Sequence, residues 1–191
     1  MKIEVWSDYV CPFCYIGKRR LEEALEIAGL EDDVEVVFKA YELDPNSPST
    51  TDKTMAEVLA EKYNMSIEEA KSMNENVAEQ AKTVGLNYDI DNMSPANTFN
   101  AHRLAKLAEQ ENLGGVMSEE LLHAYFVAAK KIGTEEVLLE VAEKVGISKD
   151  RAQDMLESDE FVEEVQADIA EARQIGVQGV PFFVIIRSNT M

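Results

Sequence analysis

Strand-like patterns occur only near the two ends of this chain, and that distribution sets the main limit on its fold. Residues 2–6 alternate polar and apolar side chains, which is typical of a strand with one buried side. Residues 34–43 are rich in Val, Phe and Tyr, and residues 182–186 are β-branched and aromatic, so each range predicts a further strand. We expect both ends of the chain to contribute strands to one sheet. Because the helical middle begins and ends beside that sheet, we interpret it as an inserted subdomain and not as a tandem domain.

The first two predicted strands flank a predicted helix. From Pro12 the apolar positions recur at helical spacing, and Gly29 follows as a stop signal. The order strand, helix, strand predicts a right-handed crossover if the two strands are parallel.

The segment between the second and third strands has a mainly helical pattern. Ser66 and Glu69, three positions later, predict a capping box. A later helix is predicted to begin at Pro95 and to end at Gly114, and the helix after it to end at Gly133. The hydroxyl residues predicted to cap the remaining helices are Ser118, Thr134, Ser148 and Ser158.

The charge balance narrows the range of partners. The chain has 191 residues, with 18 basic and 37 acidic side chains, and its formal net charge is −19. This excess of negative charge disfavours binding to nucleic acid or to an anionic membrane surface. The longest apolar run, residues 180–186, is far shorter than the roughly 20 residues of a membrane-spanning helix. The chain passes from Met1 directly into a strand, without the features of a secretory leader, so we expect a cytoplasmic protein.

The two cysteines, Cys11 and Cys14, lie where the first strand gives way to the first helix. With Pro12 at the first helical position, Cys11 lies at the helix N-terminus, where unpaired N–H groups and the helix dipole stabilise a thiolate. Cys14 follows about one turn later, within bonding reach of Cys11. We therefore expect Cys11 to be an exposed, ionised nucleophile and Cys14 to be a buried, resolving thiol.

Other uses of a Cys-x-x-Cys pair are possible. A zinc site would need two more ligands, and the two histidines, His102 and His123, lie on different predicted helices. Haem attachment requires His after the second cysteine, where this chain has Tyr15. Two inert core cysteines remain an alternative. We predict no metal site and no cofactor.

A second feature is the proline that precedes the last predicted strand. A cis Val180–Pro181 bond at this point would present the Val180 backbone as a short edge to which an extended peptide could pair. An ordinary trans turn proline is the alternative.

Three segments together resemble the thioredoxin superfamily, and within it the DsbA-like branch with a helical insertion, of FrnE type. These segments are residues 7–18, 97–104 and 176–183. The resemblance implies an α/β thioredoxin-like fold with a large all-helical insertion subdomain. On this resemblance, residues 1–48 and 160–191 form a discontinuous thioredoxin-like domain, and residues 49–159 form the insertion.

The resemblance also implies a thiol-disulfide oxidoreductase or isomerase. Cys11 is then the attacking sulfur, Cys14 the resolving sulfur and Pro181 a cis-proline near both. Val180, Pro12 and Phe13 are candidate substrate-binding residues. The implied partners are protein or peptide thiols and disulfides, and also glutathione.

The chain departs from the FrnE pattern in two places. Phe13 stands where relatives of this type commonly carry Trp, so the potential and peptide preference are expected to differ. The fold normally adds a strand and a helix after the cis-proline strand, whereas only residues 187–191 remain here. This C-terminal part of the fold is therefore expected to be missing, and an open sheet edge predicts a homodimer or a marginally stable chain.

Two other functions are compatible with the same segments. Hydroxychromene-carboxylate isomerases and kappa-class glutathione transferases belong to the same branch and hold glutathione at this position, although their first position is usually serine. A redox sensor whose thiol pair switches partner binding is a non-enzymatic alternative.

His102 is either a core histidine or a proton shuttle near Cys14. Lys18, Arg19 and Arg20 are predicted to form a solvated face.

Overall fold

The computed structural model describes residues 1–187, which contain three strands and eight helices in the order β1, α1, β2, α2 to α8, β3. The strands are β1 (Lys2–Ser7), β2 (Glu35–Ala40) and β3 (Phe182–Ile186). The helices are α1 (Pro12–Ala28), α2 (Met55–Tyr63), α3 (Ile67–Lys82), α4 (Phe99–Gln110), α5 (Gly114–Phe126), α6 (Glu135–Val145), α7 (Lys149–Glu157) and α8 (Val162–Gln174).

The strands form one mixed sheet in the order β2-β1-β3, so both ends of the chain contribute to it. The β1 and β2 strands are parallel, and Ile3 pairs with Val36. The β1 and β3 strands are antiparallel, and Ile3 also pairs with Ile185. The predicted strand order along the chain is therefore confirmed, and the α1 crossover joins two parallel neighbours.

The alternation along β1 divides its side chains between two faces of the sheet. Ile3 and Val5 pack with residues of α1 and β2, whereas Trp6 packs with Ala172 of α8 and with Val177. The Trp6 indole N–H also donates to the carbonyl of Asp168, at 2.9 Å. The sheet is thus held between α1 on one face and α8 on the other.

The largest apolar core lies among the helices. It contains fully buried side chains of α4 and α5, including Leu104, Leu121 and Phe126, and it also includes Tyr15 and Ile16 of α1. The helix that carries the cysteines therefore packs on the sheet with one side and on the helical insertion with another.

Capping explains several helix starts. The predicted capping box of Ser66 and Glu69 begins α3 with both of its hydrogen bonds present. Thr134 and Ser148 occupy the N-cap positions of α6 and α7, as predicted, but of the two only the Ser148 hydroxyl accepts a capping hydrogen bond, from the Arg151 N–H at 3.2 Å. The capping box of Thr54 and Glu57, which begins α2, was not predicted.

Five other predicted boundaries are wrong. The helix predicted from Pro95 begins at Phe99, after the N-cap Thr98. Gly114 begins α5 and does not end α4, so Ser118 lies inside α5, where its hydroxyl is 3.4 Å from that of Tyr9.

Ser158 caps the C-terminus of α7, and α8 begins only after Phe161, which has a φ of 63°. The α5 helix ends at Phe126, well before Gly133. Gly133 has a different role, since a Cβ there would lie 2.1 Å from the carbonyl oxygen of Ser49. It permits a close approach of two backbone segments.

The β3 strand is an edge of the sheet in the described residues. Phe183 and Ile185 on this strand are 40% and 59% exposed, and they lie on the same side of it because side chains alternate. The sequence predicts that no covering strand and helix follow β3. This prediction falls partly on residues 188–191, which lie outside the described residues.

Candidate active site

A short turn after β1 places Cys11 at the start of α1. Cys11 is the N-cap residue, with φ −90° and ψ 111°, and Pro12 occupies the first helical position. The Cys11 backbone N–H donates to the Asp8 carbonyl at 3.2 Å. The Asp8 carboxylate, which is 1% exposed, accepts the backbone N–H groups of Tyr9 and Leu43 at 2.8 Å each. The buried carboxylate thus fixes the turn against the segment that follows β2.

Both cysteines are free thiols in the structure, and both are buried. Cys11 is 3% exposed and Cys14 is 2% exposed. The Cys11 thiol donates to the carbonyl of Val180, with a Sγ to O distance of 3.5 Å. The predicted burial of Cys14 is confirmed, but the prediction that Cys11 is exposed is wrong, because the segment containing Val180 lies against its sulfur.

The electrostatics of Cys11 also differ from the sequence-based expectation. Its hydrogen bond with Cys14 and its burial both raise the pKa of the Cys11 thiol, and the nearby Asp8 carboxylate acts in the same direction. The helix dipole favours the thiolate and so acts in the opposite direction. The surroundings of Cys11 in the reduced state therefore favour a neutral thiol more than the sequence-based expectation of a thiolate implied.

The Val180–Pro181 peptide bond is cis. The Pro181 ring lies beside α1, where the absence of a side chain at Gly17 leaves room for it, since a Cβ on Gly17 would be 2.9 Å from Pro181 Cγ. The structure thus brings Cys11, Cys14 and Pro181, from opposite ends of the chain, to one place.

An open groove of about 410 Å³ runs along this side of α1. Phe13, which is 43% exposed, lies at the groove with Pro181 and Phe183. The other lining residues are Ile16, Gly17, Arg20 and Leu21. Arg20 is the one charged residue among them, and the remaining lining is apolar or glycine. The groove therefore offers an apolar surface beside the buried thiols.

The Pro12 carbonyl accepts a hydrogen bond from the Tyr88 hydroxyl at 2.8 Å. Tyr88 belongs to the loop between α3 and α4, and its ring stacks on Phe126 with the ring centroids 4.6 Å apart. Burial raises the pKa of Tyr88, so the hydroxyl remains a donor. Sequence reasoning missed Tyr88, because no local pattern marks a loop tyrosine as a neighbour of residue 12.

An ionic cluster fixes α1 to α5. Glu119 accepts hydrogen bonds from the Tyr15 hydroxyl at 2.6 Å and from Lys18 Nζ at 2.6 Å, and it is also paired with Arg19. Burial alone would raise the pKa of Glu119, but the hydrogen bonds from Arg19, Lys18 and Tyr15 outweigh it and lower the pKa to about 2. Lys18 is 7% exposed, so its prediction as part of a solvated face is wrong.

His102 is buried, and its hydrogen bonds do not involve the cysteines. Its Nε2 atom lies 3.2 Å from the Asp8 carboxylate and 3.0 Å from the Tyr41 carbonyl, and its ring packs on that of Tyr9. These contacts make His102 part of the packing that fixes the turn before Cys11.

In residues 1–187, none of the helices combines the length and the hydrophobicity that spanning a bilayer requires. The same part of the chain contains no cluster of three or more His, Cys, Asp or Glu side chains placed to bind a metal ion.

Two thiols at the start of a helix that follows the central strand, facing a cis-proline segment, define an oxidoreductase site of the thioredoxin fold. Residues 2–191 match the profile described as the DsbA-like thioredoxin domain, and the chain belongs to that family. It has the DsbA-like thioredoxin fold with a helical insertion and carries the Cys11–Cys14 pair of a DsbA-like oxidoreductase.

Similar proteins agree with this assignment. The chain is 28% identical over 185 residues to the uncharacterised Bacillus subtilis protein YwbO, covering 96% of this chain and 86% of YwbO. It is 35% identical to a probable DsbA oxidoreductase from Streptomyces coelicolor whose crystal structure superposes with a TM-score of 0.91, covering 96% of this chain and 80% of the other.

A structure of 2-hydroxychromene-2-carboxylate isomerase superposes with a TM-score of 0.71 at 16% identity, covering 97% of this chain and 86% of that one. At that identity the likeness concerns the fold alone.

Proposed function

We propose that this protein is a FrnE-type thiol-disulfide oxidoreductase that acts on disulfides of proteins or peptides, with Cys11 as the attacking sulfur and Cys14 as the resolving sulfur. The observation that carries the proposal is the position of the Cys11 thiol, at the start of α1 and 3.5 Å from the Val180 carbonyl, with Cys14 one turn further along the helix. Two thiols at one site can form and break a disulfide, whereas a single thiol cannot.

The exchange has two steps. The Cys11 thiolate attacks one sulfur of a client disulfide, so that a Cys11–client bond forms, the client S–S bond breaks, and the other client sulfur leaves as a thiolate that takes up a proton. The Cys14 thiolate then attacks Cys11 Sγ, so that a Cys11–Cys14 disulfide forms, the Cys11–client bond breaks, and the second client sulfur leaves as a thiolate that takes up a proton. The client gains two electrons and the protein loses two.

The burial of Cys11 and the hydrogen bond that its thiol donates to the Val180 carbonyl support reduction of clients as the working direction. A strongly oxidising pair needs a reduced form that is stabilised as a thiolate. Here burial and the hydrogen bond with Cys14 favour the neutral thiol. A thiol compound such as glutathione would then return the Cys11–Cys14 disulfide to the dithiol state.

The surface next to the thiols supports an extended peptide as the client. The Val180 and Pro181 backbone lies beside Cys11, and the groove provides Phe13 and Phe183 for an apolar client side chain. We therefore infer that Val180, Pro181 and Phe13 contact the client, while the Pro12 carbonyl, which accepts from Tyr88, holds the turn between the cysteines.

The Cys14→Ala variant tests the proposal. Incubated with a disulfide-containing peptide, it should accumulate a mixed disulfide at Cys11, detected by mass spectrometry, because the second step is lost. The Cys11→Ala variant is the matched control and should form no adduct. A Cys14→Ala variant that keeps full glutathione-dependent isomerase or transferase activity would instead favour the alternative enzyme class. Complexes that depend on the redox state, formed without turnover by the wild-type protein, would favour a sensor.

A further inference from the structure

We propose that Gly17 is a positioning residue that lets the Pro181 ring pack against α1 and thereby closes the Val180 carbonyl over the Cys11 thiol. Gly17 touches neither sulfur and would act through Pro181. This inference rests on the proposed exchange site and adds a residue to it. Its test measures chemical modification of Cys11, which does not require turnover of any client.

Glycine is unexpected at this point of the chain. Gly17 lies in the interior of the 17-residue α1 helix, one turn after Cys14. Glycine is the least favourable residue in a helix after proline, and no positive φ requires it here. A reason for glycine must therefore lie in packing.

The packing reason is the approach of Pro181. An ideal Cβ at position 17 would be 2.9 Å from Pro181 Cγ and 3.5 Å from Phe183 Cζ. Ordinary contact begins at 3.4 Å, so a methyl group would displace the proline ring by about 0.5 Å. The ring is bonded to the backbone at both Cα and the nitrogen, so it cannot rotate away as a flexible side chain would.

This displacement reaches the reactive sulfur through one peptide unit. The Val180 carbonyl and the Pro181 nitrogen belong to the same plane, so a shift of the ring carries the carbonyl with it. The Cys11 Sγ to Val180 O distance is already 3.5 Å. A further shift of about 0.5 Å places it at the outer limit of a hydrogen bond to sulfur, and the thiol would lose its acceptor and become more open to solvent.

Gly115 provides a matched control. It also lies in a helix, near the start of α5, and an added Cβ there would meet nothing within 4 Å. The Gly115→Ala variant therefore makes the same chemical change as Gly17→Ala without a neighbour to displace.

The experiment compares Gly17→Ala and Gly115→Ala in the full chain. One measurement is the rate at which iodoacetamide alkylates Cys11 in the reduced protein at neutral pH, located by peptide mass spectrometry. The other is the equilibrium of the Cys11–Cys14 pair with glutathione. Gly17→Ala should alkylate at least roughly threefold faster, because the sulfur is uncovered. The equilibrium should move about 2- to 5-fold toward the disulfide, since the reduced form loses one weak hydrogen bond. Gly115→Ala should match the wild-type protein in both.

A third variant identifies the route. In a Pro181→Ala background the ring that the methyl group would strike is absent, so adding Gly17→Ala should change neither quantity further. A folded Gly17→Ala protein with wild-type values in both measurements would overturn the proposal, and so would an undiminished effect of Gly17→Ala in the Pro181→Ala background. If Gly17→Ala does not fold, the double variant should recover folding, and its failure to do so would equally overturn the proposal.

Discussion

Replacing Glu119 by Gln tests the ionic cluster that fixes the cysteine-bearing helix α1 to α5. The carboxylate of Glu119 accepts from Tyr15 and Lys18 and is paired with Arg19, and together these donors lower its pKa from 4.5 to about 2. A shift of about 2.5 units corresponds to an upper limit of about 3.4 kcal/mol. The Glu119 side chain is 30% exposed, so screening by solvent reduces this to about 1–2 kcal/mol.

The pH dependence has a defined sign. Because the folded state lowers the pKa of Glu119, its contribution is complete well above pH 4.5 and is lost as the pH falls toward the folded pKa of about 2. Linkage with these two values leaves about 40% of the neutral-pH contribution at pH 3. Glu119→Gln should therefore destabilise the protein at pH 7 and less so at pH 3.

Urea unfolding followed by circular dichroism measures both values. Glu140→Gln is the control, since Glu140 pairs with Lys130 on the exposed surface and its replacement should leave the free energy of unfolding unchanged. A loss for Glu119→Gln that is as large at pH 3 as at pH 7 would show that the carboxylate charge is not the stabilising element.

Three further predictions concern the site and the open sheet edge. The rate of Cys11 alkylation should be below that of a small free thiol at neutral pH and should still rise above pH 9, because its pKa is raised, whereas a plateau below pH 7 would contradict the buried-thiol assignment. His102→Gln should lower the free energy of unfolding by about 1–3 kcal/mol, because it disturbs the buried contact with Asp8, and it should leave the pH profile of that alkylation in place, so a moved profile would restore the proton-shuttle role. The exposed Phe183 and Ile185 lie on β3, which is an edge strand in the described residues and carries no charged side chain, although the chain as a whole has a net charge of −19. Because an uncharged apolar edge strand can pair with another strand, we expect a second copy of the chain to pair there. Sedimentation should show a dimer that Ile185→Lys disrupts, and a wild-type monomer would refute the pairing.

Several boundary predictions failed for a common physical reason. A hydroxyl residue that could cap a helix can equally lie inside one if a buried partner awaits it, as Ser118 does beside Tyr9. A glycine that could end a helix can instead serve a close backbone approach, as Gly133 does beside Ser49. Local sequence does not distinguish these cases, because the deciding partner is far away along the chain. One local feature did indicate a distant contact, because Gly17 lies inside a helix, where a glycine often has a packing reason.

The sequence by itself determined the features that depend on neighbours along the chain. The alternation in β1, the helical spacing after Pro12 and the place of Cys11 at the junction are all local, since backbone geometry over a few residues decides them. The same holds for the pairing of Cys11 with Cys14, because three residues in a helix make one turn. The existence of the β1 strand and the α1 helix, and the position of the thiol pair between them, could therefore be predicted.

Only the tertiary structure decided how deeply the two thiols are buried and which groups shift the pKa of Cys11. The Val180 carbonyl that accepts from Cys11 is 169 residues away, the Glu119 that pairs with Lys18 is 101 residues away, and the Tyr88 that bonds Pro12 is 76 residues away. The pKa of a thiol depends on burial and on the charges around it, and both are set by such distant segments. For that reason the sequence predicted an exposed thiolate, whereas the fold buries Cys11 and raises the pKa of its thiol.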